Sequence, residues 1–201
     1  MNKLHPLPTA YLPSIAYFQE FLSSKHYLEV NESYVKQTFR NRCEILTSNG
    51  IQQLSIPVVH GKGKKLKTKE IKIDCSTNWP TLHSRAIRTA YASSPYFDDY
   101  FHELNSIINK NHQYLIDKNT DLLHFLFHSL DIRINLTETS DFVFNNENNL
   151  SKNFLARDIN IGFVYQQVIG FSNEFVSNLS IIDLLFNEGP MARKRLVCSY
   201  F

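Results

Sequence analysis

Residues 41 to 58, NRCEILTSNGIQQLSIPV, restrict the fold more than any other stretch of this chain. Two runs rich in β-forming residues flank Asn49-Gly50, a dipeptide that accepts the positive φ angles of a type I′ turn. The segment therefore predicts a β-hairpin, and a chain committed to a hairpin is not all-helical. Upstream, SIAYFQEFLSSK places Ile15, Phe18, Phe21 and Leu22 at helical spacing, with Ser14 as N-cap after Pro13. With LHPLPTA extended before it and HYLEV (26–30) as a strand after it, the opening reads as strand, helix, strand. That order favours parallel pairing. The expected class is α/β, a mixed β-sheet with a βαβ-like start and a hairpin, covered by helices in one domain spanning 1–201.

Helices are predicted further along. In PTLHSRAIRTAY, after Asn78 as a cap, positions 83, 86, 87, 90 and 91 form one stripe: His83, Ala86, Ile87, Ala90 and Tyr91. Arg85 and Arg88 point away from it. YASSP ends that helix and YFDDYFHELNSIIN starts another, followed by an apolar helix over 119–132 and a strand in RINLTETS. KEIKIDC (69–75) alternates as a strand, and 145–153 is a polar loop. DINIGFVYQQVIG and FSNEFVSNL suit strand or helix equally. Ser180 to Asp183 resembles a capping box opening a last helix, which Gly189 and Pro190 stop.

Fifteen phenylalanines and ten tyrosines give the chain apolar surface enough for a sizeable core, so it is no disordered tail. Charge is concentrated in residues 60–72, HGKGKKLKTKEIK, where six lysines face one glutamate. That patch exceeds the chain's net charge of +2, so the remainder is net acidic. Three distant cysteines, Cys43, Cys75 and Cys198, without a CxxC pair, suit free thiols in a reducing compartment. Three prolines interrupt the N-terminus, so no signal peptide is expected there. No run of about 18 apolar residues exists, so no integral membrane segment is expected and the cytoplasm is the expected compartment.

Few catalytic patterns fit. There is no GxSxG elbow, no Walker loop and no HExxH spacing. His124 and His128 stand four apart but make an incomplete zinc site, so no metal is expected. No cofactor is implied either. His83 faces the apolar stripe near a helix start, where burial and the helix dipole favour its neutral form. It is either a general base or a core-edge histidine making one hydrogen bond. Lys62, Lys64, Lys65 and Lys67 offer a surface for phosphates of a nucleotide, an RNA or a lipid, or form a solvated loop. Cys43 beside Arg42 is either a lowered-pKa thiol or an inert half-buried one.

YLPSIAYFQEF, NRCEIL with NGIQQLSIPV, then Trp79, His83 and Tyr91 ahead of SPYFDDY, and finally SIIDLLFNEGP occur in this order. Together they resemble the WbqC-like family of bacterial proteins from about Tyr11 to Pro190. The family matches fall on Tyr11, Pro13, Arg42, Trp79, His83, Tyr91 and Asp183. The resemblance implies work in surface-polysaccharide (O-antigen-type) biosynthesis, with glycyl or other acyl transfer to a sugar as the implied reaction. Such a reaction needs a base and a stabiliser of the oxyanion. His83 is the candidate base and Arg42 the candidate oxyanion or phosphate binder. Tyr11, Trp79 and Tyr91, with Arg85, Arg88 and the lysine loop, are the substrate-binding candidates, though aromatics of this kind also build cores. The implied partners are a sugar or nucleotide-sugar substrate and an aminoacylated RNA or other anionic donor. The alternative is a non-catalytic module that binds a nucleotide sugar or other polyanion through the 62–69 lysine loop. Family members often carry an HQPNYLP-like opening, whereas this chain has PLPTAYLP, with Pro8, Thr9 and Ala10 in place of the polar pattern.

Overall fold

A computed structural model describes residues 5–23, 26–59, 65–133, 137–139, 159–168 and 174–198. The chain opens as the sequence suggests. Strand β1 (His5–Pro8), helix α1 (Ile15–Ser23) and strand β2 (His26–Glu29) form a right-through unit in which β1 and β2 pair in parallel, Leu7 opposite Leu28. Part of the RINLTETS strand is present as well. Glu138 bridges Leu28 in parallel, with Leu28 N–H donating to Thr137 and Thr139 N–H donating back to Leu28. Ser14 caps α1 through a 3.4 Å bond from Tyr17 N–H.

The hairpin follows as β3 (Arg42–Thr47) and β4 (Gly50–Ser55). Its turn lies one residue earlier than the sequence predicts. Thr47 pairs with Gly50, so Ser48 and Asn49 are the turn residues, and Gly50 alone has positive φ (98°). Thr47 Oγ1 accepts from Asn49 N–H (3.3 Å) and donates to the Gly50 carbonyl (2.7 Å). That local bonding favours a loop closed by one left-handed glycine over a type I′ turn. Strands β5 (Val58–Val59) and β6 (Lys72–Ile73) pair antiparallel. The strand expected over 69–75 is thus short, preceded by a 3₁₀ turn at Thr68–Glu70. Among the described residues the fold is mixed α/β, its parallel and antiparallel strands grouped in three two-stranded ladders.

Helices α2 (Trp79–Tyr91), α3 (Phe97–Asn109) and α4 (Leu115–Ser129) pack in sequence, and α5 (Ile181–Glu188) and α6 (Ala192–Cys198) end the described chain. α5 is buried on every side from Ile181 to Asn187, its polar residues Asp183 and Asn187 included. Phe186 meets Tyr91 and Phe97 at ring distances of 5.3 and 5.2 Å. On the other side, Phe18 and Phe21 of α1 close on Phe127 of α4. One apolar core therefore joins the N-terminal unit, the hairpin and the helices. The segments 159–168 and 174–179, ambiguous in sequence, are neither helix nor strand. The 145–153 loop lies outside the described residues.

Candidate functional site

Helix α2 begins at Trp79, so His83 stands in its second turn, on the same face as Trp79. The Trp79 and His83 rings meet edge-on at 5.1 Å. Tyr11, far away in sequence, brings its hydroxyl to 2.8 Å from His83 Nδ1. The ring also makes a hydrogen bond to the Ser55 backbone. With that carbonyl accepting from the ring, the neutral imidazole uses Nδ1 to accept the Tyr11 proton. All three side chains are buried, Tyr11 completely.

Burial holds His83 well below its usual range, at about 4, against a smaller upward pull from the Ser55 bond. It is therefore uncharged at neutral pH and a weak proton acceptor. Its depressed folded-state value also couples it to stability. The unfolded chain takes up a proton near pH 6.5 and the folded chain resists until about 4. We expect stability contributed by His83 to be complete above pH 6.5 and to fall by about 3 kcal/mol as pH drops to 4. Urea titrations across this window would reveal it. A His83→Gln variant with the same acid slope as the parent would refute the assignment.

Trp79 also walls a cavity of about 400 Å³. The cavity is bounded by residues 75–80 ahead of and within α2, by 109–112 at and just after the end of α3, and by Lys118 of α4. Lys118 is buried, and its Nζ donates to the carbonyls of Ile107 (2.6 Å), Ile108 (2.9 Å) and Lys110 (2.6 Å). These carbonyls belong to the last turn of α3 and its C-cap, where α-helical partners run out. The same ammonium lies 5.6 Å from the Trp79 ring, and burial lowers its pKa to about 8. His112 presents Nε2 to Asp121 Oδ2 (2.9 Å) and Nδ1 to the Lys110 carbonyl (3.1 Å), while Lys110 Nζ pairs with Asp121 at 2.6 Å. Sequence reading passed over this cavity. Its signal was a lysine on the apolar face of α4, Lys118.

The other expected residues lie elsewhere. Arg42, in β3, borders a crevice of about 10 Å³ with Leu12, Cys43 and Asn178, and its buried Nε has no hydrogen-bond partner among the described residues. None of the described cavities is lined by both Arg42 and His83. Tyr91 accepts the Leu46 N–H at 3.1 Å, inside the core. Arg85 and Arg88 are exposed, Arg88 lying 4.7 Å over the Phe101 ring. Lys65 and Lys67 are exposed, and the chain beside them is tied to residues 30–34 by backbone bonds. Lys62 and Lys64 lie outside the described residues. Cys43 is buried, which pushes its thiol up and makes it inert. His124 and His128 are exposed on α4, and no group of three metal-ligating side chains occurs among the described residues.

Asp183 departs furthest from its expected role. Only its backbone N–H returns to the Ser180 carbonyl; the Ser180 hydroxyl donates to Leu12. The buried carboxylate instead accepts from Tyr165 (2.5 Å) and Gln167 (3.0 Å) and faces the Tyr91 hydroxyl. Burial raises its pKa, and these hydrogen bonds pull it back. Tyr165 and Gln167 come from a segment whose pattern suited strand and helix equally.

A mixed α/β fold with a buried Tyr–His–Trp cluster against a polar cavity is thus the class of protein defined here. The profile of the WbqC-like protein family matches residues 9–162 and 147–195, and the chain belongs to that family. An uncharacterised protein of Mycobacterium tuberculosis (strain ATCC 25618 / H37Rv), Rv1507c, is 29% identical over 145 residues, which cover 71% of this chain and 62% of the relative. The match thus spans less than two thirds of that relative. No solved structure matches the chain significantly. Among the described residues no helix is long and apolar enough to cross a membrane.

Proposed function

We propose that the protein acts on a sugar in surface-polysaccharide assembly, transferring to it an acyl group, glycyl in the form the family resemblance implies. The observation that carries this reading is the 400 Å³ cavity walled by Trp79 and flanked by asparagines and lysines. Its size lies within the range of small-ligand sites, about 300–1,000 Å³. An aromatic wall with amide and hydroxyl groups is a chemistry suited to a sugar. His83 and Tyr11 stand behind Trp79, outside the cavity lining. In this reading they are positioning residues that hold the indole, because a histidine near 4 is a poor base at neutral pH. The acceptor amine or hydroxyl attacks the donor's acyl carbon, the bond from that carbon to the donor's leaving group breaks, and the nucleophile's proton passes to the departing group.

A second reading, a non-catalytic sugar-nucleotide binder, is favoured because none of the described cavities is lined by both Arg42 and His83. Mass spectrometry of the surface glycan from a strain lacking the gene distinguishes the two. Loss of a glycyl-sized mass, restored by the parent gene, is the expected result. An unchanged glycan would overturn the transferase reading.

A further inference from the structure

The cavity between α2, α3 and α4 has a charge character that the sugar reading alone does not require. Three cationic or basic side chains line it, Lys110, His112 and Lys118, and no carboxylate does. The nearest carboxylates are already engaged. Asp121 is held by Lys110 and His112, and Asp74, just ahead of the cavity wall, accepts from the Ser76 N–H at 2.9 Å. Lys118 spends its three protons on helix carbonyls, yet its charge stays fixed at the cavity wall. A buried, immobile cation acts more strongly on a neighbouring anion than one in water, because the surrounding protein screens it less. Lys110, in contrast, has its side chain 60% exposed, and its pair with Asp121 is an exposed one for which a ligand's phosphate can compete.

Uncommitted donors complete the set. The side chain of Asn78 makes no cap bond to α2, and those of Thr77 and Asn111 likewise have no hydrogen-bond partner among the described residues. These groups come from two separate loops and face one space. Positive charge, several short donors and an aromatic wall together match a sugar bearing a phosphate. Neither a neutral sugar nor a bare ion would use all of them.

We propose that this cavity is a binding site for a sugar phosphate, with Lys110 and Lys118 supplying the charge, Thr77, Asn78 and Asn111 the hydrogen bonds, and Trp79 the sugar-facing wall. The proposal deepens the sugar-directed function above by naming the charge class of its substrate. It assigns the anion to this cavity and not to the lysine loop.

Isothermal titration calorimetry of the full chain with glucose 1-phosphate, glucose and inorganic phosphate tests it. Glucose 1-phosphate is expected to bind more tightly than either fragment, and more weakly as salt is raised. Lys110→Met, at an exposed position that the fold tolerates, is expected to weaken it about tenfold, the loss of one charged contact. Lys194→Met, on the far α6 surface, should leave it unchanged. Amide NMR shifts should fall on residues 77–79 and 109–112. Equal binding of glucose, equal binding of inorganic phosphate, no binding at all, an unaffected Lys110→Met, or shifts confined to residues 65–69 would each overturn the proposal. Because the readout is binding alone, an unchanged glycan in the deletion strain would remove the transferase reading and leave this result standing.

Discussion

Replacing Glu32 with alanine is expected to lower the unfolding free energy by about 3–5 kcal/mol, the usual cost of stranding a buried charge. Arg40 is only 1% exposed, and its guanidinium grips Glu32 through two bonds, Nε to Oε1 at 2.7 Å and Nη2 to Oε2 at 2.6 Å. Among the described residues the guanidinium also meets Thr38 Oγ1 at 3.1 Å and the face of Phe39. Neither neutralises it. The Arg40 backbone carbonyl accepts from Asn119 of α4, so a displaced Arg40 would also disturb the helix layer. A double variant, Glu32→Leu with Arg40→Met, removes both charges and is expected to recover most of the loss. Urea unfolding followed by circular dichroism measures both. A loss under about 1 kcal/mol in Glu32→Ala would mean that water reaches the guanidinium, and the pair would then count as an exposed one.

Gly189→Ala is expected to be nearly as damaging, at about 4 kcal/mol. Gly189 ends α5 at φ 52° and ψ −124°, a combination that a Cβ makes costly. That Cβ would also lie 2.5 Å from Cδ1 and Cγ of Tyr96. These are atoms at the root of the ring, and Tyr96 is pinned by its N–H to the Phe186 carbonyl at 3.0 Å. Backbone strain contributes about 1–3 kcal/mol and the overpacking a similar amount. For a chain of this size the melting temperature should fall by roughly 10 °C. Adding Tyr96→Ala should return only the steric part. A melt unchanged within 2–3 °C of the parent, against the ~10 °C expected, would show that the α5 end relaxes freely.

Features written in neighbouring residues were the legible ones. The strand–helix–strand opening, the hairpin and the stripe on α2 each follow from spacing and turn chemistry within a short window. Even there, Thr47 moved the turn by one residue, because the two bonds of its hydroxyl outweighed the Asn-Gly preference. The capping box at Ser180 failed for a longer-range reason. Both of its side chains found partners distant in the chain, Leu12 for Ser180 and Tyr165 with Gln167 for Asp183. The cluster of Tyr11, Trp79 and His83 was legible only as a set of residue types, since nothing local says that Tyr11 reaches His83. The cavity was hidden because its floor is Lys118, a cation amid Leu and Phe that gains its meaning from the end of another helix. Tertiary bonding of this kind leaves no period in the sequence.

The junction between the two ends of the described chain sets an order of events during synthesis. The amide of Ala16, in the first turn of α1, donates to the side chain of Asn178, 162 residues later. Ile15 and Ile181 likewise exchange backbone bonds with Leu179 and Pro13. At a ribosomal pace of about 5–20 residues per second, α1 waits roughly 8–30 s for these partners. During that interval the face of α1 destined for α5, α6 and the 178–181 segment has nothing native to cover it. Closing so long a loop also makes this junction one of the slowest contacts to form. The face of α1 is therefore exposed through most of synthesis, and its final compaction belongs to the moments after residues 178–196 have emerged.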